Sequence, residues 1–312
     1  MMLARAEYLY DTALVSAIGR REVQEDAVAG HFPAGSEMGF VVLADGMGGH
    51  AAGDVASRIV VEEFSEELAR YSGDPAGLER DIGPILRGAM TRANRQVAQH
   101  TIAQPDRRGM GATLVAPLIL RNRLYWISVG DSPLFLLRGS RMSRLNQEHS
   151  LARRLDQMVV KGLISQFEAD QNPARFSLTS GLLGAEVPEV DCRDCPIELQ
   201  DGDILIVASD GILSLDEGRI ASLVYEGRDL PSAEINARLL QVIQETDDPD
   251  QDNVTLCVVK IHLQPAPAPT TAEAPAAVPR PSARRWTTIQ VHSPRKGNRV
   301  IRRLAPSSDA KG

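Results

Sequence analysis

The chain has 312 residues, with 34 Lys plus Arg against 41 Asp plus Glu for a net charge of −7, six His and three Cys. This exceeds the ~100–200 residues of an ordinary domain, so one large domain with an appendage, or two domains, is expected, and 43% hydrophobic residues suffice for a sizeable core. The acidic balance argues against a dedicated DNA-binding protein, three cysteines cannot make a disulfide framework, and no apolar run approaches the ~18–20 residues of a membrane span. The opening MMLARAEYLYD has acidic residues where a secretory leader would be apolar. A soluble, cytoplasmic protein is therefore expected, with neither nucleic acid nor membrane as partner.

Apolar, β-branched runs predict strands over Gly39–Ala44, Thr113–Leu120, Leu124–Val129, Leu134–Arg138, Ile204–Ala208 and Val254–His262. Between them, Val55, Ile59, Val60, Phe64 and Leu68 form one apolar stripe of a helix. Ile85, Leu86, Met90 and Val97 do the same within Ile82–His100. Strands that follow one another through tight connections favour antiparallel pairing, and an α+β sandwich is expected over a doubly wound sheet. Composition changes near Leu263. Residues 264–283 are rich in Ala and Pro and read as an extended linker, and residues 284–312 read as a basic, flexible tail. Beyond Leu263, nine basic residues face two acidic ones, a charge of +7 that leaves −14 on residues 1–263. An acidic body thus carries a basic end, either a solvated, disordered tail or a docking segment.

The informative residues are aspartates at the ends of predicted strands. Asp45 closes GFVVLA, Asp131 follows LYWISVG, Asp210 follows ILIVAS, Asp252 precedes the last strand and Asp26 precedes a short apolar stretch. Strand ends are rigid and can converge at one sheet edge, where clustered carboxylates call for a hard divalent cation. Oxygen-only ligands suit Mg²⁺ or Mn²⁺ rather than zinc. Asp45-Gly46 and Asp210-Gly211 are also hairpin signals, but the residues after each pair have helical periodicity rather than the pattern of a returning strand. Gly46, Gly48 and Ala51 fit a dinucleotide fingerprint, yet Glu66 and Glu67 fall inside a helical stripe instead of ending a second parallel strand. Cys192 and Cys195 form a C-x-x-C without a second ligand pair and read as incidental, and Cys257 reads as core.

In order along the chain, GRREVQED, VVLADGMGGHAAGDVAS, GMGATLV, VGDS, the stretch from LNQEHS to LTSGLLG, IVASDGILSL and QDNVTL resemble the motifs of PP2C-type (PPM family) metal-dependent Ser/Thr protein phosphatases in their bacterial form. The resemblance spans roughly residues 12–262. It implies an αββα sandwich of two antiparallel β-sheets flanked by helices, and hydrolysis of phosphoserine or phosphothreonine by a metal-activated bridging water without a phosphoenzyme. Two catalytic Mn²⁺ or Mg²⁺ ions are implied, with a third in bacterial members. Asp45 would bridge two ions and Gly46 would offer its carbonyl. Asp210 and Asp252 would hold the first ion, and Asp26 would stand next to the second. Glu25 would act through a water, and Asp131 with Asp210 would form the third site. Arg21 would grip the phosphate. His50 would be a general acid or structural. The implied partners are phosphoproteins and a cognate Ser/Thr kinase, with the protein a monomer.

The sequence also departs from the family pattern. Gln24 replaces Asn, Pro133 ends G-D-S-R, Glu148 replaces the Asp of D-H-S, and Ser180 replaces an Arg. None is an implied ligand, but the lost basic positions would weaken phosphopeptide binding or shift substrate choice. The alternative is a phosphoprotein-binding regulatory module without activity on the same fold; retention of Asp26, Asp45, Asp210 and Asp252 argues for activity.

Overall fold

A computed structural model describes residues 7–48, 52–264, 288–292 and 299–302. The first half runs β1 (Glu7–Ala17), β2 (Ala27–His31), β3 (Met38–Ala44), β4 (Gly46–Met47), α1 (Gly53–Ala69), α2 (Pro75–Arg80), α3 (Ile82–Ala103), β5 (Gly111–Ala112), β6 (Leu114–Leu120) and β7 (Arg123–Val129). The second half runs β8 (Leu134–Arg138), β9 (Arg141–Arg144), α4 (Leu151–Val160), α5 (Gln166–Asp170), β10 (Asp191–Glu198), β11 (Ile204–Ala208), α6 (Glu217–Glu226), α7 (Ser232–Glu245) and β12 (Val254–Gln264). Two short strands come last, β13 (Thr288–His292) and β14 (Arg299–Arg302).

One sheet has the order β10-β7-β6-β3-β2 and the other β14-β13-β1-β12-β11-β8-β9, while β4 and β5 form a separate ribbon. Every pairing is antiparallel except β1 with β13. Alternate residues divide each strand between two cores. In β3, Phe40, Val42 and Ala44 pack with Val60, Phe64 and Leu68 of α1 and Leu86 and Met90 of α3. Val41 and Leu43 point the other way and meet Leu205, Val207 and Val259 of the opposite sheet. A third core lies outside that second sheet, where Ile206 and Val258 pack against Ile220 of α6 and Leu239 of α7. The result is the αββα sandwich expected from the sequence. Both sheets are covered on both faces, which is why their central strands read as apolar runs rather than as alternating ones.

Register decides where the strand ends fall. In the first sheet Ala27 lies opposite Ala44, Leu43 opposite Val115 and Leu114 opposite Val129. In the second, Ala17 lies opposite Val254, Ala208 opposite Leu256 and Val207 opposite Leu134. The connections that follow β1, β3, β7 and β11 and precede β12 therefore leave their sheets at matching ends. At the far side of β1, β13 pairs from Leu14↔Ile289 to Ala17↔His292, and β14 pairs back on β13. The sequence pattern predicts no strands there. The rest of the linker and tail lies outside the described residues.

Candidate active site

A cleft of ≈ 400 Å³ opens where the strand ends meet, lined by Arg21, Glu25, Asp45, Gly46, Met47, Gly48, Thr113, Asp131, Phe176, Leu178, Asp210, Asp252 and Asn253. Seven of the nine residues singled out from sequence thus share one cavity. Asp26 is not on its wall but one layer behind, where Oδ2 accepts a hydrogen bond from Ser209 Oγ at 2.8 Å. His50 lies outside the described residues.

Hydrogen bonds to residues distant in the chain fix the segment that carries Asp45. Asp45 is the first residue after β3; its N–H donates to Thr113 Oγ1 at 2.9 Å and its carbonyl accepts from Thr113 N at 2.8 Å. Gly46 then donates its N–H to the Glu25 carbonyl at 3.1 Å. A Cβ on Gly46 would lie 2.2 Å from the Gly53 carbonyl oxygen and 2.5 Å from that of Glu25, so only glycine lets the start of α1 and the Glu25 loop close on this point. On the opposite sheet, Asp210 opens a 3₁₀ turn, Asp210–Ser214, directly after β11. Asp252 accepts from Arg21 Nη2 at 2.6 Å and from the Asn253 N–H at 2.7 Å.

Sequence reasoning missed the residues that stitch these loops together. Asn253 accepts the Glu25 N–H at 2.8 Å on Oδ1 and donates through Nδ2 to the carbonyls of Ile18, at 2.9 Å, and Val23, at 3.1 Å. One side chain thereby fixes the whole loop that carries Arg21, Glu25 and Asp26. Gln24, the residue in place of the family's Asn, donates to Ser16 Oγ at 2.6 Å and accepts from the Asp26 N–H at 2.9 Å. The signal for Asn253 was its place between Asp252 and a strand; nothing in the sequence marks Thr113 or Ser209 as tied to acids far along the chain. Ser180 is buried, donating to the Glu189 carbonyl at 2.7 Å and accepting its N–H at 3.1 Å. At this position the chain has a structural hydroxyl in place of a basic side chain. Phe176, 83% exposed, and Leu178 add an apolar wall to the cleft beyond the acids.

Electrostatics sets this cluster apart. Burial pushes Asp45 well above the usual carboxylate range, reinforced by Asp26, Asp210, Asp131 and Asp252. Burial and then Asp210 push Asp131 up to about 7, and burial with Asp210 and Asp252 does the same to Asp26, to about 7. Asp210 is raised by burial and Asp252, with a hydrogen bond from Asp45 working the other way. Glu25 is raised, chiefly by burial. The Oδ1 atoms of Asp26 and Asp210 are buried without a hydrogen-bond partner. Among the described residues, no three His, Cys, Asp or Glu side chains are already drawn together as a cage. Crowded carboxylates that resist ionisation, two orphaned buried oxygens and an oxygen-only donor set nevertheless fit hard divalent cations, which offset the repulsion. No cysteine lines the cleft; Cys192, Cys195 and Cys257 are free thiols elsewhere.

An acid-lined cleft at the joined ends of two antiparallel sheets, inside an αββα sandwich, defines a fold class, and comparison with known families names it. The chain belongs to the protein phosphatase 2C family, whose model matches residues 15–245. It is 34% identical over 223 residues to the serine/threonine protein phosphatase PstP of Mycobacterium tuberculosis, a match covering 71% of this chain and 40% of that protein. Among solved structures it is similar to the catalytic domain of PstP in complex with two manganese ions, at 30% identity and a TM-score of 0.64, covering 82% of this chain and 99% of that one. It is also similar to the S. agalactiae serine/threonine phosphatase, at 27% identity and a TM-score of 0.69, covering 81% and 99%.

Proposed function

We propose that the protein hydrolyses phosphoserine and phosphothreonine in protein substrates, using Mn²⁺ or Mg²⁺. The observation that carries this reading is the meeting of Glu25, Asp45, Asp131, Asp210 and Asp252 in one cleft, from connections far apart in the chain. Family membership and the manganese-bound relative support it. In this reading Asp45 and the Gly46 carbonyl would help hold two ions, Asp210 and Asp252 would hold the first of them, and Asp26 would serve the second. Glu25 would act through water, and Asp131 with Asp210 would hold a third ion. When bound, the ions supply positive charge to an anionic phosphoryl group and acidify water for in-line attack.

The chain's own residues do the rest. Arg21 sits at the cleft with one guanidinium nitrogen on Asp252, and its planar fork would take two oxygens of a phosphoryl group bound there. The buried setting of Asp45 and Asp210 keeps their charge from being screened by solvent. No thiol stands in the cleft to form a cysteinyl-phosphate, and the proposal is direct attack by water without a phosphoenzyme. Phosphoproteins, a cognate Ser/Thr kinase, a monomeric state and a cytoplasmic location, with neither nucleic acid nor membrane as partner, complete the proposal.

The test is release of phosphate from a phosphothreonine peptide and from a chromogenic phosphomonoester, with Mn²⁺ and after chelation. Turnover that appears with Mn²⁺ and vanishes with chelator is expected. Absence of metal-dependent turnover on both substrates would sink the reading.

A further inference from the structure

Asp131 rides on a short connection, Gly130–Pro133, between β7 and β8. One stretch of chain, Arg144–His149, supplies hydrogen-bond partners to several backbone groups in and beside this buried turn. Arg144 Nη2 donates to the Asp131 carbonyl. Asn146 donates through Nδ2 to the Ser132 carbonyl at 2.9 Å and accepts the Leu134 N–H at 2.8 Å. His149 takes Gly130 twice: its Nδ1 accepts the Gly130 N–H at 3.1 Å, and its own N–H donates to the Gly130 carbonyl at 2.9 Å. Gly130 has φ +102°, and a Cβ there would lie 2.6 Å from Thr113 Cγ2, so the turn has one backbone shape and little room to drift. Because a backbone N–H can only donate, Nδ1 of His149 carries no proton and Nε2 does. The other side of His149 faces the cleft wall. Its carbonyl accepts from Thr179 N at 2.9 Å, and Ser150 is bridged to Leu178, which lines the cleft.

We propose that His149, 2% exposed, is a positioning residue that acts through Gly130 to aim Asp131 into the cleft, while joining that turn to the wall formed by Leu178. It touches neither phosphate nor ion. The inference rests on the reading of Asp131 as an ion-holding carboxylate, and it concerns how the chain keeps that carboxylate in place. Partners that orient a ligand without binding the ion typically change affinity or activity by about 10–100-fold when lost.

The experiment uses the full-length protein and three variants. His149→Phe fills the ring's space without an acceptor, His149→Asn restores an acceptor near the place of Nδ1, and Asp131→Asn removes the carboxylate. Hydrogen exchange of the Gly130 amide is measured in metal-free protein, and Mn²⁺ binding is measured by calorimetry alongside turnover of a chromogenic phosphomonoester. In His149→Phe, the Gly130 amide should exchange faster than in wild type, and the Mn²⁺ affinity lost in Asp131→Asn should fall by about 10-fold or more. His149→Asn should recover most of both. A folded His149→Phe with wild-type exchange and Mn²⁺ binding would overturn the proposal, as would failure of His149→Asn to rescue. If His149→Phe does not fold, the Asn variant and its Gly130 exchange carry the test. Loss of metal-dependent turnover in the wild type itself would fell the phosphatase reading instead, and Gly130 exchange would still report on the clamp.

Discussion

Asp45 is half-buried, with its carboxyl withdrawn from water, and desolvation together with Asp26, Asp210, Asp131 and Asp252 keeps it from ionising easily in the metal-free protein. Asn has the same size without the charge. Asp45→Asn should therefore lower turnover by about 10²-fold or more while the metal-free protein melts at a temperature no lower than wild type, because a repulsive charge has gone. Kinetics paired with a thermal melt checks both halves, and near-wild-type turnover would remove Asp45 from its assigned role. The same crowding sets a pH dependence. Asp26 and Asp131 are held up to about 7 in the folded chain against 3.8 ordinarily, so between those values the folded state binds protons that the unfolded state has released. Stability of the metal-free protein should be greatest near the lower value, decline as pH rises through the window and level off above about 7. With each unit worth ~1.4 kcal/mol, each of the two groups contributes on the order of a few kcal/mol to the decline. Urea midpoints against pH in chelator would show it, and a midpoint that climbs across that window would contradict the assignment.

At the scale of elements, the central strands were readable and the edges were not. β3, β6, β7, β11 and β12 are apolar on both faces and declare themselves by β-branched content. β10, reading DCRDCPIE, is a polar and largely exposed edge strand, and its sequence resembles a loop. β1 escapes for a different reason. Its Asp11 breaks the apolar pattern because the carboxylate accepts the Ser232 N–H at 2.8 Å, at the first turn of α7, a use that no local pattern announces. The junction of β3 with α1 gives an element-scale prediction. Gly46→Ala places a methyl against two carbonyl oxygens, so α1 or the Glu25 loop must retreat. We expect a loss of stability of about 1–3 kcal/mol and a fall in turnover larger than that stability loss alone explains, read from a denaturant titration and from kinetics at saturating Mn²⁺. Unchanged kinetics would mean that the close approach of Gly46, Glu25 and Gly53 has no bearing on the chemistry.

For the molecule as a whole, charge separates an acidic body of −14 from a basic C-terminal segment of +7, and β13 and β14 add to the β1 edge of the sheet. β1 runs directly into the loop that bears Arg21, Glu25 and Asp26. Removal of residues 265–312 should leave kcat/KM for a small phosphomonoester unchanged if the segment serves to recruit protein partners. A large change that fades with added salt would point instead to the basic segment acting on its own acidic body, since salt screens exposed charges more than about 10 Å apart at 0.1 M.

The acids that meet in the cleft were visible in the linear sequence. Aspartates at the ends of apolar runs, the glycines beside them and the ordered set of motifs determined the family resemblance, the sandwich and every acid that lines the cleft, because strand ends and turn glycines are local properties. What tertiary structure alone decided was the company each residue keeps. Asp26 stands behind the cleft rather than on its wall, Asn253 ties three backbone groups of a loop more than 200 positions away, and His149 holds the turn of Asp131. Those contacts depend on the register between strands and on the packing of one sheet on the other, and a short window of sequence contains neither.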